Sequence, residues 1–106
     1  MYEDVLVSVI MSVHNEPKEF LDAATESILN QTHSNLEFII IDDCSNYETR
    51  KIIAGKKDKR IQVYHNEENL GLTKSLNRAL SHCKGKYVAR MDADDISYAD
   101  RIEKQL

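Results

Sequence analysis

Val5-Leu6-Val7-Ser8-Val9-Ile10-Met11-Ser12-Val13 is β-branched and almost wholly apolar, and its reading decides the fold. A strand with one wet face alternates apolar and polar residues. A near-continuous apolar run fits a strand covered on both faces, as in a parallel sheet. Leu36-Glu37-Phe38-Ile39-Ile40-Ile41 repeats the pattern, and Lys86 to Met91 and the more alternating Arg60 to His65 supply two further strands. Helical periodicity fills the intervals. Pro17 suits a first helical turn, and Phe20, Leu21, Ala24, Ile28 and Leu29 then recur at spacings of three and four, predicting a helix to about Gln31. Ser45 and Glu48 have capping-box spacing before a helix carrying Ile52 and Ile53, and Ser97 and Asp100 have it before a helix running to Leu106. Leu72, Leu76, Ala79, Leu80 and Cys83 mark one apolar helix face, with Gly85 expected as its C-cap and the polar loop Asn66 to Gly71 before it.

Strands alternating with helices imply an α/β domain, a mostly parallel sheet covered on both faces. Right-handed crossovers give the expected strand order 3-2-1-4. At 106 residues and 42% hydrophobic the chain is one domain's worth, and residues 1–106 are read as a single unit. With 14 Lys and Arg against 18 Asp and Glu the net charge is -4, which gives no basic stripe for nucleic acid and no polybasic membrane patch. Cys44 and Cys83 form neither a C-x-x-C pair nor a disulfide framework, so a reducing cytoplasm is the expectation, with apolar packing for both. No apolar run reaches the ~18 residues of a membrane span, and the opening Met1-Tyr2-Glu3-Asp4 is acidic where a signal peptide is basic.

The chemistry concentrates where the fourth strand ends. Asp92, Asp94 and Asp95 crowd together there, and neighbouring carboxylates raise one another's pKa unless a cation or donor array holds the charge. Oxygen-only donors suit Mg²⁺ or Mn²⁺. Magnesium completes its shell with water and substrate phosphates, so the triplet predicts a phosphate-bearing ligand as well as a metal. A solvated acidic turn is the plain alternative. Topology weighs against it: in order 3-2-1-4 the first and fourth strands meet at the switch point, where open α/β sheets take ligands. That puts His14-Asn15-Glu16, Asp42-Asp43 and the acidic triplet along one crevice.

These residues, taken in order, resemble the nucleotide-binding half of family 2 glycosyltransferases, enzymes of GT-A fold. The resemblance rests on Val7 to Glu16, Ser27-Ile28-Leu29-Asn30-Gln31-Thr32, Ile41-Asp42-Asp43-Cys44-Ser45, Asn69-Leu70-Gly71-Leu72-Thr73 with Asn77, and Gly85 to Asp95. It implies transfer of a sugar from a nucleotide diphosphate-sugar, with a UDP-sugar as donor and Mn²⁺ or Mg²⁺ as cofactor. The acceptor it implies is a glycan or a lipid-linked sugar in cell-surface polysaccharide synthesis. By the same resemblance Ser12, His14, Asn15 and Glu16 wrap uracil and ribose, Asp43 accepts from the uracil imide N–H, and Asp42 braces the loop. Asp92 faces the ribose, Asp94 holds the metal, and Asp95 stands behind them. Two positions depart from the commonest family pattern: His14 stands where many relatives have Tyr, and Leu76 where many have Arg. Lys74, ahead of Arg78, is the expected substitute charge for the diphosphate; His33, His65 and His82 are assigned to surface or packing. The general base of an inverting transfer, the acceptor site and any membrane association are expected in a downstream region, so the 106 residues are read as a piece inactive in transfer by itself.

Two other classes also place acidic pairs at strand ends. Phosphatases with an aspartyl nucleophile begin the domain with that strand, whereas here it is the fourth. A phospho-acceptor receiver domain could use Asp42-Asp43 but needs its acceptor Asp one strand later and a Lys after a fifth strand.

Overall fold

The structure is a computed structural model that describes residues 4–106, so the acidic opening lies outside it except for Asp4. Eight elements alternate: β1 (Val7–Val13), α1 (Lys18–Leu29), β2 (Leu36–Asp42), α2 (Tyr47–Ala54), β3 (Ile61–His65), α3 (Leu72–Ser81), β4 (Tyr87–Arg90) and α4 (Arg101–Gln105). The strands form one sheet in the order β3-β2-β1-β4, and every pairing is parallel.

Strand alternation explains why β1 and β2 lack a polar face. Val7, Val9, Met11 and Val13 join Leu36, Phe38 and Ile40 on one face, under Leu21, Ala24 and Ile28 of α1, Ile53 of α2 and Ile102 of α4. Ile10, Ile39 and Ile41 turn to the other face, beneath Ala79 of α3 with Leu76 and Cys83 beside it. Each fully covered side chain of this kind contributes about 1.5–3 kcal/mol relative to exposure. Ser8 and Glu37 share the α3 face as a closed polar set. Ser8 Oγ donates to Glu37 Oε2 at 2.5 Å, Lys84 N donates to the same oxygen at 2.6 Å, and Gln62 Nε2 donates to Oε1 at 3.0 Å.

Several local expectations are corrected. β1 begins at Val7, because its first partner in β2 is Leu36. Pro17 stands at the N-cap of α1, outside the first turn, and α1 ends at Leu29. Gln31 lies beyond that end as a strut: its amide donates to Ser27 O and Tyr98 O and its Oε1 accepts from Ile102 N. The cap of α2 is Asn46, which accepts from Thr49 N at 2.9 Å, because Ser45 is committed to Val13 O and Asn15 N. Ser97 likewise does not cap α4. Its N–H goes to Ser27 Oγ and its hydroxyl to the Met91 sulfur. On α3 the buried stripe is Ser75 and Ala79, while Leu72 and Leu80 stay about half exposed. His82 ends that helix, and Gly85 instead permits a close approach: a Cβ there would lie 2.6 Å from both Ser8 N and Ser8 Oγ. Cys83 is half-buried as expected. Cys44 is exposed, on a left-handed turn of φ 55°.

Candidate functional site

The carboxyl ends of β1, β2 and β4 form a polar rim. After Val13 the chain turns at Asn15, whose φ of 54° is a left-handed conformation that Asn tolerates better than most residues. That turn is tied to the one after β2. Asn15 N donates to Ser45 Oγ at 3.2 Å and Asn15 Oδ1 accepts from Asn46 N at 2.6 Å. His14 therefore sits over the β2 end with Nδ1 2.7 Å from Asp43 O. A carbonyl can only accept, so Nδ1 carries a proton, and Nε2 lies 3.2 Å from Asn69 Nδ2.

Asp42 and Asp43 are both buried yet face different tasks. Asp42 takes Ser45 N on Oδ1 and His65 Nδ1 on Oδ2, with Arg50 Nε 3.6 Å away, which is the bracing role expected of it. His65 thus does more than pack at the surface. Asp43 gathers the loop before α3: Oδ1 accepts from Asn66 Nδ2 at 3.0 Å and Leu70 N at 2.7 Å, and Oδ2 accepts from Gly71 N at 2.9 Å. Burial pushes the carboxyls of Asp42 and Asp43 up, but these hydrogen bonds more than offset it and hold both below the ordinary value. Four acceptor positions on Asp43 meet three donors, so one position remains, on Oδ2. The enclosure of this pair also disfavours the receiver reading, which needs an open acidic pair.

On β4 the acidic triplet divides. Asp92 is exposed and taken by Arg90, whose Nη2 lies 3.1 Å away. Asp95 N closes a turn onto Asp92 O at 3.0 Å, and buried Ala93 pins that turn to the core. Asp94 is exposed and close enough to Glu16 for the charges to couple: burial first, then Asp94, raise the Glu16 carboxyl, with His14 opposing. Among the described residues no group of three or more ligating side chains is gathered to hold a metal, so Asp92, Asp94 and Asp95 do not form the expected cluster. Asp92 is instead paired with Arg90.

Of the remaining predicted residues, Ser12 is half-buried on β1 opposite Ile41, and Lys74 is exposed in the first turn of α3, three residues from Gly71. Arg78 faces inward, with Nη1 donating to His65 O at 2.8 Å and Asn66 Oδ1 at 2.6 Å, so it is not an open charge. His82 stacks on Tyr64 with centroids 3.7 Å apart, and His33 is buried against Val5 O. Asn66 was not singled out in the sequence. The available signal was its place directly after β3, beside the strand that ends in Asp42-Asp43. A groove of about 740 Å³ lies elsewhere, between α1 and α2, and includes none of the predicted site residues. The strand ends are the stronger site, because they alone combine polar convergence with the switch point.

Comparison with known proteins agrees with this geometry. An "Uncharacterized glycosyltransferase MJ1057" of Methanocaldococcus jannaschii is 47% identical over 103 residues, covering 94% of this chain and 36% of its own length. The S. aureus TarS fragment 1-349 in complex with UDP-GlcNAc superposes with a TM-score of 0.85 at 26% identity, over 93% of this chain and 29% of that one. Mannosyltransferase PcManGT of Pyrobaculum calidifontis in complex with GDP-Man and Mn²⁺ superposes with a TM-score of 0.73 at 26% identity, over 85% and 28%. The chain thus spans about a third of the length of these proteins. The family described as "Glycosyl transferase family 2" matches residues 8–106, and with the GT-A topology above the chain belongs to that family.

Proposed function

We propose that this chain is the donor-binding part of an enzyme that transfers a sugar from a nucleotide diphosphate-sugar. The donor in this reading is a UDP-sugar and the acceptor a glycan or lipid-linked sugar in cell-surface polysaccharide synthesis at the cytoplasmic side. The observation that carries it is the convergence of the polar ends of the adjacent parallel strands β1, β2 and β4, where His14 lies on Asp43 O and the loop with Asp94 follows the strand beside that of Glu16. The ligands of TarS and PcManGT, UDP-GlcNAc and GDP-Man, support a nucleotide-sugar as the ligand.

In this reading Asp43 offers its remaining Oδ2 position to the imide N–H of uracil, while the His14 ring, held by Asp43 O and Asn69, lies beside the base. Ser12, Asn15 and Glu16 border the nucleoside, Asp92 meets the ribose on release from Arg90, and Lys74 faces the diphosphate. The donor set fits a hard divalent ion. Asp94 would hold Mn²⁺ or Mg²⁺ with Glu16 close by, the rest of the shell coming from water and diphosphate oxygens. Bound there, the ion would neutralise charge developing on the departing diphosphate. The general base of an inverting transfer and the acceptor contacts belong, in this reading, to the part of the relatives' length that this chain does not span.

The test uses the 106-residue chain and a version extended to the length of the relatives, with UDP-sugars, Mn²⁺ and a panel of glycan and lipid-linked acceptors. Both are expected to be stabilised by nucleotide, and only the longer one to transfer sugar. Absence of stabilisation by UDP, CDP and GDP alike would remove the reading.

A further inference from the structure

The buried amide of Asn66 joins α3 to the nucleotide rim. Its backbone N–H donates to Asp42 O at 2.8 Å, and its Nδ2 donates to Asp43 Oδ1 and Ser75 Oγ, each at 3.0 Å. Its Oδ1 accepts from Arg78 Nη1 at 2.6 Å. An Asn amide can be turned over with little change of shape, so its direction must be read from its partners. Here they leave one choice. A guanidinium has only donors and an ionised carboxylate only acceptors. Turning Asn66 over would set NH₂ against Arg78 and carbonyl oxygen against Asp43, two repulsive contacts in a buried place. Arg78 itself is anchored by His65 O at 2.8 Å and lies over the Tyr64 ring, 5.8 Å from its centroid, with His82 stacked on that ring.

We infer that Arg78 is a positioning residue for the nucleotide rim: by fixing Asn66 it fills one acceptor position of Asp43 Oδ1, so that the position left for the base is the single one on Oδ2. The inference rests on the proposed nucleotide-binding role of Asp43 and adds the source of its selectivity. With Asn66 released, Oδ1 regains an acceptor position, the carboxylate loses one of three constraints, and a base offering a donor at a different place is no longer refused.

The measurement compares Arg78→Met, which keeps the bulk without the donors, with Arg78→Lys, which keeps a donor and a charge. Dissociation constants for UDP and CDP are measured with Mn²⁺ by calorimetry. In ligand-free protein, hydrogen exchange is followed at the amides of Leu70 and Gly71, which bond to the same carboxylate. The preference for UDP over CDP is expected to fall about tenfold in Arg78→Met, the low end for one hydrogen bond to a charged group. Exchange at Leu70 and Gly71 should quicken, and Arg78→Lys should recover most of both. Equal weakening of the two nucleotides, or unchanged exchange at both amides, overturns the inference. If the wild-type protein binds UDP and CDP equally, Asp43 does not read the base and the inference about selectivity falls with that role. Exchange then reports separately whether Arg78 positions the loop.

Discussion

Asp42 and His65 stand directly opposite in register at the ends of β2 and β3, and His65 Nδ1 meets Asp42 Oδ2 at 2.7 Å. The contact completes the partners of a carboxylate that is 1% exposed. Asp43 and Glu37 follow the same pattern of burial with several donors, and among the described residues no buried side-chain nitrogen or oxygen lacks a partner. Buried carboxylates here are held charged by donors, which ties the fold to pH.

Acid should therefore unfold the protein. Burial pushes Asp42, Asp43 and Glu37 up, but their hydrogen bonds outweigh it and each pKa is lowered. A lowered folded value means that the unfolded chain binds more protons in acid. The stabilisation is present above the unfolded values of about 3.9 for Asp and 4.3 for Glu, and is lost as pH falls through the folded ones. Urea denaturation from neutral pH downward should show a plateau and then a decline below about pH 4. Stability that rises on acidification through that range would contradict it.

Gly85→Ala should cost about 1–3 kcal/mol, the usual penalty of overpacking, because the atoms a Cβ would meet include backbone, Ser8 N at 2.6 Å and Leu6 O at 2.9 Å. Gly55→Ala provides the control. Its φ of -77° suits any residue and the nearest atom to an added Cβ is Ile52 O at 3.4 Å, so the change should be neutral or stabilise by up to ~1 kcal/mol. Denaturation midpoints of the two variants read the difference directly.

UDP should stabilise the chain mainly when Mn²⁺ or Mg²⁺ is present, and Asp94→Ala should abolish the metal-dependent part. At ~100-fold saturation ligand linkage is worth about 2.7 kcal/mol, well within reach of a thermal melt. Equal UDP shifts in excess EDTA and in Mn²⁺ would exclude a metal bridge through Asp94.

Asp43→Asn should act on loop and ligand together. It replaces an acceptor oxygen by a donor among Asn66 Nδ2, Leu70 N and Gly71 N, which leaves at least one of those donors opposed at a cost of ~1–3 kcal/mol. UDP should weaken more than CDP, which presents a different edge. Titration of both nucleotides against wild-type and variant checks this, and equal losses would make Asp43 structural only.

The positions of β1 and β2 were legible because both strands are buried and largely apolar, as in a doubly covered sheet, and the sheet order followed from right-handed crossovers. Caps were less so. Ser45 has the right spacing, but its hydroxyl is drawn to Val13 O across the sheet, and Asn46 takes its place. Gly85 read as a helix terminator because a close approach to Ser8, 77 positions away, leaves no local trace. At the rim, Asp42 and Asp43 could be located but not their partners. Asn66 and Arg78 meet through tertiary folding alone, so the sequence offers Arg78 only as a second charge for the diphosphate and not as a partner of Asn66. Within the acidic triplet, spacing does not reveal that Arg90 takes Asp92.

β4 bonds to β1 along one side only, and on it Tyr87 and Val88 are 47% and 45% exposed. A strand margin of this kind carries a row of unmatched amide and carbonyl groups, which can add the margin of another molecule. In concentrated solution the 106-residue chain should therefore approach a second copy along β4 first, and a lysine introduced at Val88 would be the simplest means of keeping the preparation monodisperse.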